Sequence, residues 1–331
     1  MTNAASAAVP DRAATPEGAS GQAPAPPRVP KALADSLTDS LGEAGRVWAV
    51  GLPLLAEELM ERWALRPDGP PAHGMVALVL PVLRTDGTPA VLKLQPVDGE
   101  TVGEPAALRV WAGRSAVRLL DQEQASGAML LERLDRDRSL LAVPDATAAL
   151  RTLAELLADL TAHPAPPGLR RLSDIADTLL ADTPEGLSGL VDPADRRLLA
   201  DCAAALREVR GEPGDRLLHW DLHYDNVLAA LGPDPRAPWL AIDPKPLAGD
   251  PAFELLPALR NRWSDLAATG DVPRALHRRF DLMTDVLDLD RSRAAAWTLA
   301  RILQNALWDI EDGSPAIDPA QRVVAEALLG R

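Results

Sequence analysis

Two hydrophobic periods divide the chain. From about residue 40 to residue 65, Val47, Leu54, Leu55, Leu59 and Trp63 recur at helical spacing, with a break expected between Gly51 and Pro53. Two extended apolar runs follow, MVALVLPVLR (75–84) and TPAVLKLQP (88–96), joined through Asp86-Gly87. An Asp-Gly step between such runs predicts a β-hairpin. Residues 104–113 read as a short helix ended by Gly113, and 115–122 and 128–134 as two further strands. The expected product is a small antiparallel sheet carrying a helix.

Beyond residue 135 the period changes to that of helices. Leu150, Leu153, Leu156, Leu157 and Leu160 make one apolar stripe, and further helices are expected at 193–210, 251–269, 273–288, 290–311 and 318–329. Only 216–230 and 238–243 interrupt with short β-like runs. The fold class expected is α+β with two lobes of protein-kinase-like layout. The small β-rich N-lobe spans 39–134 and the larger helical C-lobe 135–331. Residues 1–38 are rich in Ala and Pro and are expected to stay unstructured, because they bury too little to offset ordering entropy. Two lobes enclose a cleft, where ligands bind.

Composition narrows the function. The 331 residues are 47% apolar and carry a net charge of −14, with 48 acids against 34 bases. That balance argues against nucleic acid as a partner, which needs a basic face, and is compatible with a cationic ligand. The single cysteine, Cys202, excludes an internal disulfide framework, fits a reducing compartment and reads as a small core residue. No apolar run approaches a membrane span, and the N-terminus lacks the basic start and apolar core of a signal peptide. The expectation is a cytoplasmic protein with no membrane partner.

The densest chemistry lies in HWDLHYDNVL (219–228), where His219, Asp221, His223, Asp225 and Asn226 sit between apolar flanks. Asp221 and Asn226 share a loop between short strands. The apolar run PWLAI (238–242) then delivers Asp243, and a hairpin brings it near Asn226. Mg²⁺ takes hard oxygen ligands, often one or two carboxylates plus substrate phosphates. Asn226 and Asp243 suit that role, leaving Asp221 to orient a hydroxyl and accept its proton. Upstream, Lys93 lies mid-strand in AVLKL, and Glu104 opens the next helix. The order Lys93, Glu104, Asp221, Asn226, Asp243 is that of a phosphoryl-transfer site. The alternatives are a polar surface turn, or a zinc pair at His219 and His223. Asp250, before Pro251, reads as a helix N-cap.

LLHWDLHYDNVLAA, followed by PWLAIDPKPLAGDPAFELLPALRNRW, resembles the aminoglycoside phosphotransferase superfamily, in particular its streptomycin 6-kinase/hydroxyurea kinase branch. DGTPAVLKL and WDIEDG (308–313) resemble that branch as well, and the likeness runs over about residues 45–315. It implies a protein-kinase-like fold holding ATP and Mg²⁺ between the lobes, and transfer of the γ-phosphate to an antibiotic hydroxyl. By position it implies Asp221 as the catalytic aspartate, Asn226 and Asp243 as metal ligands, and Lys93 with its partner Glu104 at the phosphates. It also implies a hinge at 131–134, with Glu132 and Leu134 meeting adenine through their backbone, and a structural role for His219. Three departures stand out. Trp220 occupies a place where relatives often have Gly, and Glu254 one where many have Asp. PDGPPAHG (67–74) offers only Gly69 and Gly74 as a phosphate loop.

The helix expected at 290–311 ends in Asp309, Glu311 and Asp312, against the helix macrodipole. Local rules are broken most often at functional sites, so these acids are candidates for a guanidinium or ammonium of the acceptor; a solvated acidic turn is the alternative. The resemblance implies a streptomycin 6-phosphotransferase conferring resistance and using ATP and Mg²⁺. A kinase for hydroxyurea or another small metabolite, or a catalytically silent kinase-like binding module, is the alternative.

Overall fold

The computed structural model describes residues 27–232 and 236–330. Helix α1 (Lys31–Arg62) is followed by β1 (Arg66–Pro67), β2 (Ala72–His73), β3 (Leu78–Leu83), β4 (Pro89–Leu94), α2 (Glu104–Trp111), β5 (Leu119–Glu123) and β6 (Ala128–Glu132). These strands form one antiparallel sheet in the order β1-β3-β4-β6-β5, with β2 also on β3. The expected hairpin is β3–β4. Gly87 takes φ 80°, open to glycine at no steric penalty, and the Asp86 carboxylate accepts the Thr88 N–H at 2.9 Å. Strand β6 serves two cores through its period of two. Ala128 and Leu130 join the core under α1, whereas Met129 and Leu131 join the larger core with Trp111 and the C-lobe.

Two expectations about α1 are corrected. Residues 31–38, assigned to an unstructured tail, are helical, because Leu33 and Leu37 are fully buried in the sheet-facing core; residues 1–26 of that expected tail lie outside the described residues. The helix also passes through Pro53 instead of breaking there. Its non-helical residue is Gly42 (φ 60°, ψ −136°), and burial of Leu52, Ala56 and Leu59 offsets the hydrogen bond that Pro53 removes.

The C-lobe contains β7 (Leu134–Ser139), α3 (Ala146–Thr161), β8 (Arg170–Arg171), α4 (Leu172–Gly189), α5 (Pro193–Val209) and β9 (Arg216–Leu218). It continues with β10 (Val227–Ala230), β11 (Trp239–Ala241), β12 (Leu247–Gly249), α6 (Leu255–Arg260), α7 (Trp263–Ala267), α8 (Val272–Leu287), α9 (Arg291–Glu311) and α10 (Pro319–Leu328). The leucine stripe of α3 is buried throughout, as is Cys202. The helix expected at 251–269 is divided into a 3₁₀ turn, α6 and α7, interrupted where Arg262 turns left-handed at φ 54°. Strand β7 (LDRDRS) and helix α4, with Pro184 inside it, escaped the sequence pattern because each is weakly patterned.

The architecture fixes the polar loop 219–226 at both ends. β9 pairs with β12, whereas β10 pairs with β11 and β7, so the loop leaves one small sheet and enters another.

Candidate active site

The site begins with a buried ion cluster spanning the lobes. Lys93 lies on β4 with its ammonium 2.8 and 2.9 Å from the two Glu104 carboxylate oxygens and 2.7 Å from Asp243 Oδ1. Gln95 Nε2 also donates to Glu104, at 2.6 Å. Lys93 and Glu104 are almost wholly buried, whereas the Asp243 side chain is 46% exposed to the cleft. Burial alone would push the Lys93 amine down, but the Asp243 and Glu104 carboxylates outweigh it and hold the amine above its ordinary range. Burial likewise opposes ionisation of Asp243, and the Lys93 ammonium overrides it, keeping this carboxyl low. Glu104 is raised, first by burial and then, against the pull of Lys93, by Asp243 as a second anion on the same lysine.

Loop 219–226 is built around His219, whose ring stacks on Trp111 at 6.1 Å between centroids and whose Nε2–H donates to the Ile242 carbonyl at 3.0 Å. Burial lowers its pKa to about 4 despite the nearby Asp221 carboxylate, so the ring is neutral at physiological pH. With Nε2 spent on Ile242, the zinc alternative loses a ligand. Trp220 adopts φ 65°, a left-handed conformation that costs an L-residue about 1–2 kcal/mol and a glycine nothing. Its strained peptide is clamped on both sides: Trp220 N–H donates to Glu254 Oε1 at 2.8 Å, and Arg301 Nη2 donates to its carbonyl at 3.3 Å. Arg170 and Arg301 stack on the indole at 4.4 and 4.5 Å. Trp220 is thus held by the C-lobe, which orients Asp221 beside it. Asp250 caps the 3₁₀ turn of residues 251–254 through the Ala252 N–H at 2.8 Å, as its sequence context predicts.

Asn226 closes the loop: its Nδ2 donates to the Asp221 carbonyl at 2.9 Å, and the Asn226 carbonyl accepts the Ile242 N–H at 2.9 Å. The β10–β11 hairpin therefore brings Asn226 and Asp243 to one end, as the sequence predicts. An amide nitrogen spent on a carbonyl leaves Asn226 Oδ1 as its ligand atom. Among the described residues no group of three or more His, Cys, Asp or Glu is disposed around a metal. One amide oxygen and one carboxylate fit a hard cation that completes its shell with phosphate oxygens and water, not an all-protein cage.

Two pockets flank this centre. A 600 Å³ pocket between the lobes is lined by Lys93, Asp243, Val117, Leu131, Glu132 and Leu134, together with Gly69 and Gly74. The expected hinge residues Glu132 and Leu134 therefore face it. Glu132 has its N–H on the Arg118 carbonyl at 3.0 Å and its carboxylate on Arg236 at 2.7 and 2.9 Å, so neither of these groups is free for a nucleotide. A second pocket, of 430 Å³, is lined by Asp221, Glu100, Trp220, Lys245, Arg301, Trp308, Glu311 and Asp312. Of the acidic helix end, Glu311 and Asp312 line it and Asp309 does not. The Asp309 carboxyl is raised by burial and then by Asp318. Lys245 Nζ bridges Asp221 at 3.4 Å and Glu100 at 3.5 Å. The sequence pattern did not single out Lys245, Glu100 or Arg301; of these only Lys245, two residues past Asp243 in IDPKP, carried a local signal.

Residues 62–313 match the family of aminoglycoside/hydroxyurea antibiotic resistance kinases. The chain belongs to that family. It is a phosphotransferase acting on a hydroxyl group, and the antibiotic resistance kinase fold accounts for the two lobes and the cleft between them. The chain is 58% identical over 302 residues to the streptomycin 6-kinase of Streptomyces glaucescens, covering 91% of this chain and 97% of that one. It is 56% identical over 292 residues to the hydroxyurea phosphotransferase of Kitasatospora aureofaciens, covering 88% of this chain and 82% of that one. Among solved structures, an aminoglycoside phosphotransferase in complex with ADP and hygromycin B superposes with a TM-score of 0.55 at 15% identity, over 82% of this chain and 97% of that one. That likeness is one of fold, protein-kinase-like with a sheet-bearing N-lobe and a helical C-lobe. Among the described residues, no helix of this resistance kinase is long and apolar enough to cross a membrane.

Proposed function

We propose that this resistance kinase transfers the γ-phosphate of ATP to a hydroxyl of streptomycin, as a streptomycin 6-phosphotransferase. The observation that carries the reading is the pocket beside Asp221 that Glu100, Glu311 and Asp312 help to wall. An acceptor with guanidinium groups suits those acids, and the 58% identity to a streptomycin 6-kinase supports the same acceptor. In this reading Asp221 orients the acceptor hydroxyl and takes its proton as the oxygen–phosphorus bond forms. Lys93, held by Glu104, positions the phosphates of the nucleotide. The Glu132 carbonyl and the backbone of Leu134 would meet the adenine. Asn226 and Asp243 would hold Mg²⁺, which when bound neutralises phosphate charge. Catalysis here rests on positioning and electrostatics.

A second reading, hydroxyurea as acceptor, is favoured by the 56% identity to a hydroxyurea phosphotransferase. Release of ADP from Mg²⁺-ATP, measured with streptomycin and with hydroxyurea in parallel, decides between them. Streptomycin-dependent release that disappears in Asp221→Ala, with nucleotide binding retained, is the expected result. Release with hydroxyurea alone overturns the acceptor, and undiminished turnover by Asp221→Ala overturns the mechanism.

A further inference from the structure

We propose that Glu100 determines acceptor specificity: it is an N-lobe carboxylate that takes a guanidinium or ammonium group of the acceptor. The inference rests on the reading of the pocket beside Asp221 as the acceptor site. Glu100 lies in the turn before α2, outside the C-lobe that supplies every other residue of that pocket.

The turn is built to hold this carboxylate in place. Asp98 Oδ1 accepts the N–H groups of Glu100 and Thr101, both at 2.8 Å, and Thr101 Oγ1 accepts the Asp98 N–H at 3.0 Å. Gly103 lies against the C-lobe so closely that a Cβ there would come within 2.5 Å of the Leu169 side chain. A side chain there would force the end of Leu169 to shift.

The Glu100 carboxylate faces two cations, each at long range. Lys245 Nζ stands 3.5 Å from Oε2, and Arg170 Nη1 stands 3.5 Å from Oε1. Charge-assisted N–H···O bonds close to about 2.7–2.9 Å, so neither pair is a fully formed bond. Arg170 is stacked on Trp220 and Lys245 is shared with Asp221, which holds both back. A guanidinium entering the pocket can form two parallel bonds to Glu100, a geometry neither protein cation achieves.

Glu100 and Glu104 stand four residues apart, in the turn before α2 and at the first residue of α2. Glu104 holds Lys93 in the nucleotide pocket, while Glu100 reaches the acceptor pocket. A cationic acceptor on Glu100 is therefore bound by both lobes at once, which a small neutral acceptor is not.

The test is calorimetric titration of wild type and Glu100→Gln with streptomycin and, separately, with ADP. Glutamine keeps the shape and removes the charge. A charge-assisted pair contributes enough that its loss should weaken streptomycin binding roughly tenfold or more, with ADP affinity within about twofold of wild type. Streptomycin affinity unchanged in Glu100→Gln overturns the inference and leaves the acceptor reading standing. Equal losses for streptomycin and ADP also overturn it, because they mark a structural role for the turn. No streptomycin binding by wild type overturns the acceptor reading, and this inference with it.

Discussion

Glu254 carries the clearest pH-dependent consequence of the fold. Its carboxyl is buried, with one oxygen on the Trp220 N–H and the other without a partner. Burial pushes its pKa from 4.5 to about 7, and the Trp220 N–H and Arg301 only partly offset that rise. Between those two values the folded protein keeps a proton that the unfolded chain releases, so rising pH favours unfolding. The contribution is complete below pH 4.5 and is lost as pH rises through 7. The interval corresponds to about 3 kcal/mol of stability. Glu254→Gln removes the titration but keeps an oxygen for the Trp220 N–H. Urea unfolding of both proteins from pH 4.5 to pH 8 should therefore give a difference in stability that shifts by about 3 kcal/mol in the variant's favour as pH rises, with most of the shift complete above pH 7. Turnover should fall little, because the clamp on the strained Trp220 peptide survives. A difference curve flat to within about 0.5 kcal/mol refutes the assignment of a protonated, buried Glu254.

His219 acts with the opposite sign. Burial depresses its pKa to about 4 from 6.5, so its contribution is present above pH 6.5 and is lost as pH falls through 4. Acid unfolding should show this limb, about 3 kcal/mol deep, and His219→Gln should lack it; an identical acid limb in both proteins contradicts the reading. Glu104→Ala should destabilise by about 3 kcal/mol, the low end for a broken buried ion pair because Asp243 still faces Lys93. Glu104→Gln, which retains an acceptor, should lose less. Urea midpoints measure both, and a loss under about 1 kcal/mol for the alanine variant refutes the buried cluster as described.

Much of this protein could be read along the chain because its signals are local. The β3–β4 hairpin follows from Asp86-Gly87 between alternating apolar residues, and α3 from leucines spaced for one helical face. The order of Lys93, Glu104, Asp221, Asn226 and Asp243 pointed to phosphoryl transfer, and the β10–β11 hairpin brings Asn226 and Asp243 together as expected. Weakly patterned segments were less visible. β7 is polar at most positions, and α1 holds through Pro53 because tertiary burial outweighs local propensity.

Contacts between segments distant in sequence belong to the tertiary structure alone. No spacing rule predicts that Glu100 would meet Lys245, that Arg170 and Arg301 would stack on Trp220, or that Glu254 would clamp its peptide. The acidic end of α9 shows the boundary well. Sequence marked Asp309, Glu311 and Asp312 alike, but successive helical residues point in directions about 100° apart. The docking of α9 against the C-lobe core turned Glu311 and Asp312 into the pocket and left Asp309 outside it. The sequence by itself determined which chemistry the chain carries; the packing of its helices and the approach of the two lobes decided which of those groups share a pocket.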